Sequence, residues 1–178
     1  MYINSDSQFG RVSKVIHWLV AVTIFSLFGV GLWMDGLTYY DDWYQTAPHY
    51  HKSVGVLLGL LMVVRVIWMF RAGKPKPLVS HQAWEVTLSK LTHLLLYLLV
   101  FAIVISGYLI STADGRGLEV LNWFQIPALG SLIENQEDIA GEIHEILAFT
   151  LIGLAVLHAA AAIKHHVIDK DSTLRRML

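Results

Sequence analysis

Four long apolar runs, joined by polar connections, dominate the pattern of residues along the chain. They cover residues 15–34, 53–70, 91–111 and 143–163. Each is close to the roughly 20 residues that a helix needs to cross the hydrocarbon core of a bilayer. The connections carry turn-forming residues, as in the stretch KPKPLVSHQ. The pattern predicts an all-α integral membrane protein, a four-helix bundle in which residues 1–178 form a single transmembrane domain.

The composition agrees with a chain that is surrounded mostly by lipid. Hydrophobic residues make up 55% of it and charged residues only 15%, whereas about a quarter of the residues in a soluble domain are charged. The N-terminal stretch MYINSDSQFGRVSK lacks the apolar core and cleavage site of a secretory signal, so we expect the first helix to remain as an anchor. Cysteine is absent, which excludes disulfides and thiolate metal sites.

Basic residues are concentrated at one set of helix ends. These residues are Arg11, Lys14, Arg65, Arg71, Lys74, Lys76, Lys90, Lys164, Lys170, Arg175 and Arg176. The opposite loops, about 35–51 and 112–142, with the helix ends beside them, hold only Lys52 and Arg116, and they share ten acidic residues, from Asp35 to Glu145. By the positive-inside rule, both termini and the connection at 71–90 are predicted to be cytoplasmic.

Histidines interrupt the apolar runs at two predicted depths. His144 and His158 are fourteen residues apart on the fourth helix, which places them about 21 Å apart along the axis and on nearly the same face. His17 lies near the inner start of the first helix, and His51 near the outer start of the second. Depth therefore pairs His17 with His158 on the inner side and His51 with His144 on the outer side.

Two facing imidazoles inside a membrane suit the iron of a haem. Polar groups at this depth are costly and usually serve a pathway or a bound group. Haem supplies four nitrogens of its own, so two histidines complete the coordination, whereas each pair has too few ligands for zinc. The pairs predict two haem b groups with bis-His ligation, and no Cys-x-x-Cys-His motif is present to attach them covalently. A hydrogen bond to a neighbouring helix is the alternative for any single histidine.

The interval of fourteen residues recurs on the other helices. It separates His51 from Arg65, His17 from Gly31 and His93 from Gly107. Glycine opposite an imidazole would let a planar ring approach the backbone, although glycine is also common where membrane helices pack closely. The guanidinium of Arg65 would match a haem propionate, and snorkelling towards the interface is the alternative.

Three further histidines have several open roles. His93, at the inner level of the third helix, could replace an inner ligand, bond a propionate or pack in the core. His165 and His166 lie beside Lys164 at the predicted cytoplasmic interface. They are either ordinary interfacial residues or donors of protons to a bound quinone, because histidine titrates near neutral pH.

Several segments together resemble the bacterial cytochrome b561 family. They are KVIHWLVA, HKSVGVLLGLLMVVRVIW, and IHEILA followed by LHAAAAIKHHVIDKDSTLRRM, so the resemblance spans nearly the whole chain. It implies a multi-pass protein of the bacterial inner membrane with two b-type haems. Carried over, it makes His17, His51, His144 and His158 the ligands, and it implies electron transfer between the periplasm and ubiquinone.

The resemblance leaves the periplasmic partner open. One branch of the family oxidises superoxide and reduces ubiquinone, and Lys52 and Arg116 are then the candidates that guide the anion past an acidic outer face. The alternative is a periplasmic redox or lipid-binding protein that docks on the acidic and aromatic loops; no nucleic acid is expected as a partner. Different classes are a haem-free transporter or metal-binding module and a membrane anchor for a dehydrogenase complex.

Overall fold

The computed structural model describes residues 2–178, and within them the chain forms four long α-helices. They are α1 (Arg11–Asp35), α2 (Thr46–Ala72), α3 (Ala83–Ser111) and α4 (Gln136–Val167). Two short strands, β1 (Leu118–Val120) and β2 (Phe124–Ile126), lie between α3 and α4, and a 3₁₀ turn spans Leu174–Arg176. The predicted all-α fold with four long apolar helices is confirmed.

The surface of the helices has the character of a membrane protein. All four are long and apolar enough to cross a bilayer, yet few of their residues are buried inside the molecule. Phe70, Leu98, Ile105 and Leu157 are among many large apolar side chains that point outwards. A soluble bundle would cover such side chains, whereas lipid is an equally apolar solvent for them. The chain is therefore a multi-pass membrane protein.

The helices pack side by side in chain order, α1 against α2, α2 against α3 and α3 against α4. The buried core takes one or two residues from each of them: Val20, Leu58, Met62, Val100 and Leu151. At Gly59 a β-carbon would lie 3.0 Å from Cγ1 of Val104, so glycine allows α2 and α3 to approach closely here. Successive helices run antiparallel; the connections at 36–45 and 73–82 are short, and the one at 112–135 is longer and contains the two strands.

All four helices begin earlier than the apolar runs predicted, α1 by four residues at Arg11. α2 begins at Thr46 and α4 at Gln136, each seven residues before the predicted span, and α3 begins at Ala83. The runs mark only the part of a helix that suits lipid, whereas polar residues with good helix propensity continue it into water. At α4, Glu137 and Asp138 lie in the first turn, where a negative charge is favourable. The predicted loops were therefore too long.

A β-hairpin covers the start of α2, and the sequence patterns did not predict it. Its strands pair in antiparallel register, with Val120 opposite Phe124. The side chain of Ser53 is fully buried beneath it. The Ser53 hydroxyl accepts a hydrogen bond from the Leu121 amide at 3.1 Å and donates to the Glu119 carbonyl at 3.4 Å. We call this side of the bundle the hairpin end.

The two chain termini meet at the opposite side of the bundle, which we call the termini end. The indole of Trp18 donates to the Met177 carbonyl at 2.8 Å, and Lys14 bonds the Leu178 carbonyl. The Arg176 guanidinium donates to the Lys76 carbonyl at 2.8 Å. The C-terminal segment is thus tied both to the first helix and to the connection between α2 and α3.

Candidate functional site

Two pairs of histidines face each other inside the bundle, one near each end. The imidazole centres of His51 and His144 are 6.2 Å apart at the hairpin end, with an interplanar angle of 67°. Those of His17 and His158 are 6.4 Å apart at the termini end, at 72°. Within residues 2–178, no hydrogen bond joins the rings of either pair. The two rings of each pair thus face each other edge to face without bonding to each other.

The separations are those of imidazoles on opposite sides of one metal ion. A metal–nitrogen bond of about 2 Å and roughly 1 Å from that nitrogen to the ring centre put two trans imidazole centres about 6 Å apart. Both pairs match this value within a few tenths of an ångström. A tetrapyrrole iron needs only two further ligands, so the donor set of each pair fits a haem.

The hydroxyl of Ser106 determines which ring nitrogen of His144 carries the proton. The Ser106 hydroxyl, which is buried, has one proton and donates it to the Ile103 carbonyl at 3.0 Å. The same oxygen lies 3.1 Å from Nδ1 of His144, so it accepts the Nδ1 proton of that ring. A neutral imidazole protonated at Nδ1 keeps the lone pair of Nε2 free. His144 is thereby prepared as a metal ligand through Nε2.

Two glycines lie against the hairpin-end rings. A β-carbon at Gly107 would be 3.2 Å from Cε1 of His144 and 3.4 Å from its Nδ1. A β-carbon at Gly31 would be 3.5 Å from Cε1 of His51. Any other residue at position 107 would crowd the ring, because that contact is tighter than an ordinary van der Waals approach. Both glycines thus keep space free at the hairpin end.

His51 has an unsatisfied ring nitrogen. Its Nδ1 is buried and has no hydrogen-bond partner among the described residues. A buried polar atom without a partner is costly, and such atoms often mark a binding site. The side chains around His51 therefore form an incomplete site on their own, which agrees with a bound group between the two rings.

The guanidinium of Arg65 contacts one ring of the termini-end pair. Nη2 of Arg65 lies 3.0 Å from Nδ1 of His17, and its guanidinium stacks over the ring of Tyr97 at 5.3 Å. Arginine can only donate, so Nδ1 of His17 is the acceptor and its proton is on Nε2. A metal bound at Nε2 would move that proton to Nδ1. Arg65 would then have to leave His17 and become free to pair with an anion.

His93 also lies at the termini end. Its Nδ1 donates to the Ser89 carbonyl at 2.6 Å, and its ring centre is 5.0 Å from that of His158. This separation is shorter than two imidazoles on opposite sides of one iron allow, which is about 6 Å. Of the two rings that face His158, His17 therefore has the better spacing for a shared metal.

The two basic residues expected at the outer face have different surroundings. Arg116 is exposed and pairs with Asp114 at 2.5 Å. The hydrogen bond from Arg116 holds the pKa of the Asp114 carboxyl below its ordinary value, so this pair stays ionised and nearly neutral as a unit. Lys52 is half-buried beside His51. Lys52 is therefore the stronger candidate for a local positive potential at the hairpin end.

His165 and His166 lie in the last turn of α4, beyond the termini-end pair. Nδ1 is buried without a hydrogen-bond partner in both rings, within the described part of the chain. His165 faces His81, with ring centres 4.7 Å apart. Among the described residues, His165 therefore packs against another imidazole, whereas His166 does not.

Four residues in or near these sites were not predicted from the sequence. They are Ser106, Tyr97, Ser53 and His81. Ser106 and Ser53 carry a weak signal, since each is a polar residue in an otherwise apolar stretch next to a candidate site residue, Gly107 or Lys52. The contacts of Tyr97 and His81 depend on how separate segments pack, and no local pattern shows that.

Comparison with known proteins agrees with these features. The family model for prokaryotic cytochrome b561 matches residues 8–178. The chain is 46% identical over 177 residues to cytochrome b561 homolog 2 of Escherichia coli (strain K12), covering 99% of this chain and 94% of that protein. It is 29% identical over 171 residues to a probable superoxide oxidase, CybB, of Yersinia pestis, covering 92% and 91%.

Proposed function

This chain belongs to the prokaryotic cytochrome b561 family and is a membrane b-type cytochrome that carries electrons. From that premise we propose that two haems form a path for electrons across the membrane. In this proposal His51 and His144 hold one haem b, and His17 and His158 hold the other. Electrons pass between a periplasmic partner at the hairpin end and ubiquinone. The 178 residues act as a single transmembrane domain.

The distribution of charge supports an orientation for this path. The segments at the termini end carry eleven of the thirteen Lys and Arg residues, whereas the hairpin end has only Lys52 and Arg116. Positive residues remain on the cytoplasmic side of bacterial membrane proteins. We therefore place both termini in the cytoplasm and the hairpin in the periplasm of a bacterial inner membrane.

The single observation that carries the proposal is the equal spacing of the two imidazole pairs, 6.2 and 6.4 Å between ring centres. Each haem, when bound, supplies one-electron oxidation and reduction at its iron. The four histidines fix the two irons at different depths, about 21 Å apart along α4. Ser106 orients His144, and Gly31 and Gly107 leave room beside the hairpin-end rings.

Arg65 has a role that depends on its release from His17. Once Nε2 of His17 is a ligand, Nδ1 becomes a donor and repels the guanidinium. The freed guanidinium remains close to the termini-end site and can pair bidentately with a propionate. Its positive charge then stays in a region of low dielectric, where it stabilises the reduced form of that site.

The ligand assignment is tested by removing one histidine from each pair. His144→Ala and His158→Ala should each lower the haem content of the purified protein from two per chain to one, measured as pyridine haemochrome against protein mass. His49→Ala is the matched control, because this histidine belongs to neither pair, and it should keep both haems. Full haem content in either ligand variant contradicts the assignment.

The periplasmic partner is the second part of the proposal. Lys52 is the one basic side chain of the hairpin end that is close to the site and free of an ion pair within residues 2–178. The ten acidic residues in and beside the outer loops repel anions. We therefore favour docking of a periplasmic redox or quinone-carrying protein, with superoxide oxidation as the alternative because a relative at 29% identity is named for that activity.

Stopped-flow reduction of the oxidised haems by superoxide distinguishes docking of a partner protein from superoxide oxidation. Docking predicts slow reduction that is insensitive to charge at Lys52. Superoxide oxidation predicts rapid reduction, slowed by Lys52→Glu and less by Arg116→Glu, since Arg116 is already paired with Asp114. Lys170→Glu, at the opposite end of the bundle, is the control for a general change in net charge.

Ubiquinone is proposed to bind at the termini end, where the cytoplasmic side of the path lies. His166 is the candidate donor of protons there, because its ring is half-buried and has a free nitrogen. Quinol-dependent reduction of the haems, followed in membranes with and without His166→Gln, tests this role. Equal rates over pH 6–8 would exclude it.

A further inference from the structure

A second group of potential ligands lies at the termini end, outside both histidine pairs. It consists of His81 from the connection before α3, His165 from the last turn of α4, and Asp171 from the C-terminal segment. Their ligand atoms all lie within 4.8 Å of one another. The side chains are only 17%, 15% and 9% exposed, respectively. Three separate segments thus bring two imidazoles and a carboxylate together under partial cover.

The carboxylate of Asp171 is held in a defined orientation. Its Oδ1 accepts a hydrogen bond from the backbone amide of Thr173 at 2.7 Å. Its Oδ2 lies 3.0 Å from Nε2 of His81 and 3.5 Å from Nδ1 of His165. One oxygen is therefore anchored by the backbone, and the other faces both rings. Metal-binding carboxylates are commonly fixed in this way.

Hydrogen bonds account for only part of this arrangement. His81 can donate to Asp171, and the Thr173 hydroxyl lies 3.1 Å from the same ring nitrogen. Nδ1 of His165, in contrast, is buried and has no partner in hydrogen-bonding geometry among residues 2–178, although an oxygen of Asp169 lies 2.7 Å away. A buried ring nitrogen without a well-formed hydrogen bond is costly, and such an atom often marks a binding site.

We propose that His81, His165 and Asp171 form a binding site for Zn²⁺. Ligands about 2 Å from a tetrahedral zinc ion are about 3.3 Å from one another. The two contacts of Asp171 with the rings, 3.0 and 3.5 Å, bracket that value. Two histidines and one carboxylate are a common zinc set, with water as the fourth ligand.

Neighbouring charges leave the site available for a cation. Lys164 is the nearest basic residue on α4, but its ammonium pairs with Asp169 at 2.7 Å and lies 3.7 Å from Glu85. Two carboxylates, those of Asp169 and Glu85, thus lie beside the ammonium of Lys164 and offset its charge.

The site would connect segments that are far apart in sequence. His165 follows His158 by seven residues, which places it about 10 Å farther along α4 on nearly the same face. A zinc ion there would tie the α2–α3 connection and the C-terminal segment to the end of α4. This proposal is independent of the haem ligands, since it uses none of the four.

Zinc binding to the haem-loaded protein tests the proposal. The protein, freed of any affinity tag and held in lipid nanodiscs, is dialysed against Zn²⁺ and its zinc content is measured by mass spectrometry. One zinc per chain is expected for the unaltered protein. His81→Gln and Asp171→Asn should weaken binding on the order of 100-fold, because each removes one of three ligands. His49→Gln and Asp6→Asn are matched controls that should bind as the unaltered protein does.

X-ray absorption at the zinc edge gives a second readout. It should show two imidazole nitrogens and one or two oxygens at about 2 Å. An unchanged haem spectrum in each variant shows that the protein is folded. The proposal is overturned if the unaltered protein binds no zinc, if His81→Gln and Asp171→Asn bind as tightly as the controls, or if the zinc has a single imidazole.

Discussion

The two histidine pairs have nearly the same spacing but very different surroundings. At the hairpin end, His51 and His144 are bordered by Gly31, Gly107 and the Ser106 hydroxyl. At the termini end, His17 and His158 are accompanied by Arg65, Tyr97 and His93. Nearly the same ring spacing is therefore combined with glycines and a hydroxyl at one end and with a guanidinium and further aromatic rings at the other.

This difference gives the two ends different electrostatics. Reduction adds an electron, so a nearby positive charge favours the reduced form. The Arg65 guanidinium lies within hydrogen-bond distance of a ring of the termini-end pair, whereas Lys52, the basic residue beside His51, makes no hydrogen bond to a hairpin-end ring among the described residues. We therefore expect the termini-end haem to have the higher reduction potential, which favours electron flow from the periplasmic to the cytoplasmic side.

The largest expected effect comes from filling the space at the hairpin end. Gly107→Val places a branched side chain where even a β-carbon would lie 3.2 Å from His144, so the ring has to move. We predict loss of the hairpin-end haem and retention of the other, measured as haem content. Gly153→Val is the control, because a β-carbon there meets nothing within 4 Å. Equal loss in both variants would mean that the helix, not the site, is sensitive.

A smaller effect is expected from removing the orienting hydroxyl. Ser106→Ala leaves the Nδ1 proton of His144 without an acceptor, which should weaken haem binding at the hairpin end by about 10- to 100-fold. The measurement is the rate of haem transfer to an apoprotein scavenger. Ser111→Ala, whose hydroxyl bonds only its own helix at the Gly107 carbonyl, should behave as the unaltered protein. A similar transfer rate in both variants argues against the role of Ser106.

The electrostatic difference itself is tested at Arg65. Arg65→Gln should lower the potential of the termini-end haem by on the order of 50 mV, since one charge near the site contributes about 1 kcal/mol. A spectroscopic redox titration should show the hairpin-end haem unchanged. Arg71→Gln removes an exposed charge from the same end of α2 and serves as the control. If both arginine variants shift the potential equally, the specific role of Arg65 is wrong.

The smallest effect is expected at the contact between α2 and the hairpin. Ser53→Ala removes the acceptor of the Leu121 amide in a fully buried position, which should cost roughly 1–2 kcal/mol of stability. We expect faster hydrogen exchange of the amides at 118–126, with the termini end unaffected. Unchanged exchange at Leu121 would show that the hairpin does not depend on this serine.

The sequence pattern was sufficient for the helices and for the depth of the histidines. Apolar runs identify segments that suit lipid, and a spacing of fourteen residues places two side chains on one helix face. The pairing of His51 with His144 follows from these two regularities alone. The ends of the helices could not be predicted from the apolar runs, because polar residues such as Glu137 and Asp138 continue α4 beyond its apolar part.

Contacts between distant segments could not be read from the sequence. Ser106 reaches His144 across 38 positions, and His81 reaches Asp171 across 90. These contacts depend on rotation and offset between neighbouring elements, which a periodic pattern leaves open. The position of Arg65 against His17 is another example, since its spacing from His51 indicated only its depth.

Anomalous diffraction from crystals of the haem-loaded protein, recorded at the iron edge, tests the central claim most directly. We predict two iron peaks about 20 Å apart, one between His51 and His144 and the other between His17 and His158. A single peak, or an iron bound by His93 in place of His17, would contradict it.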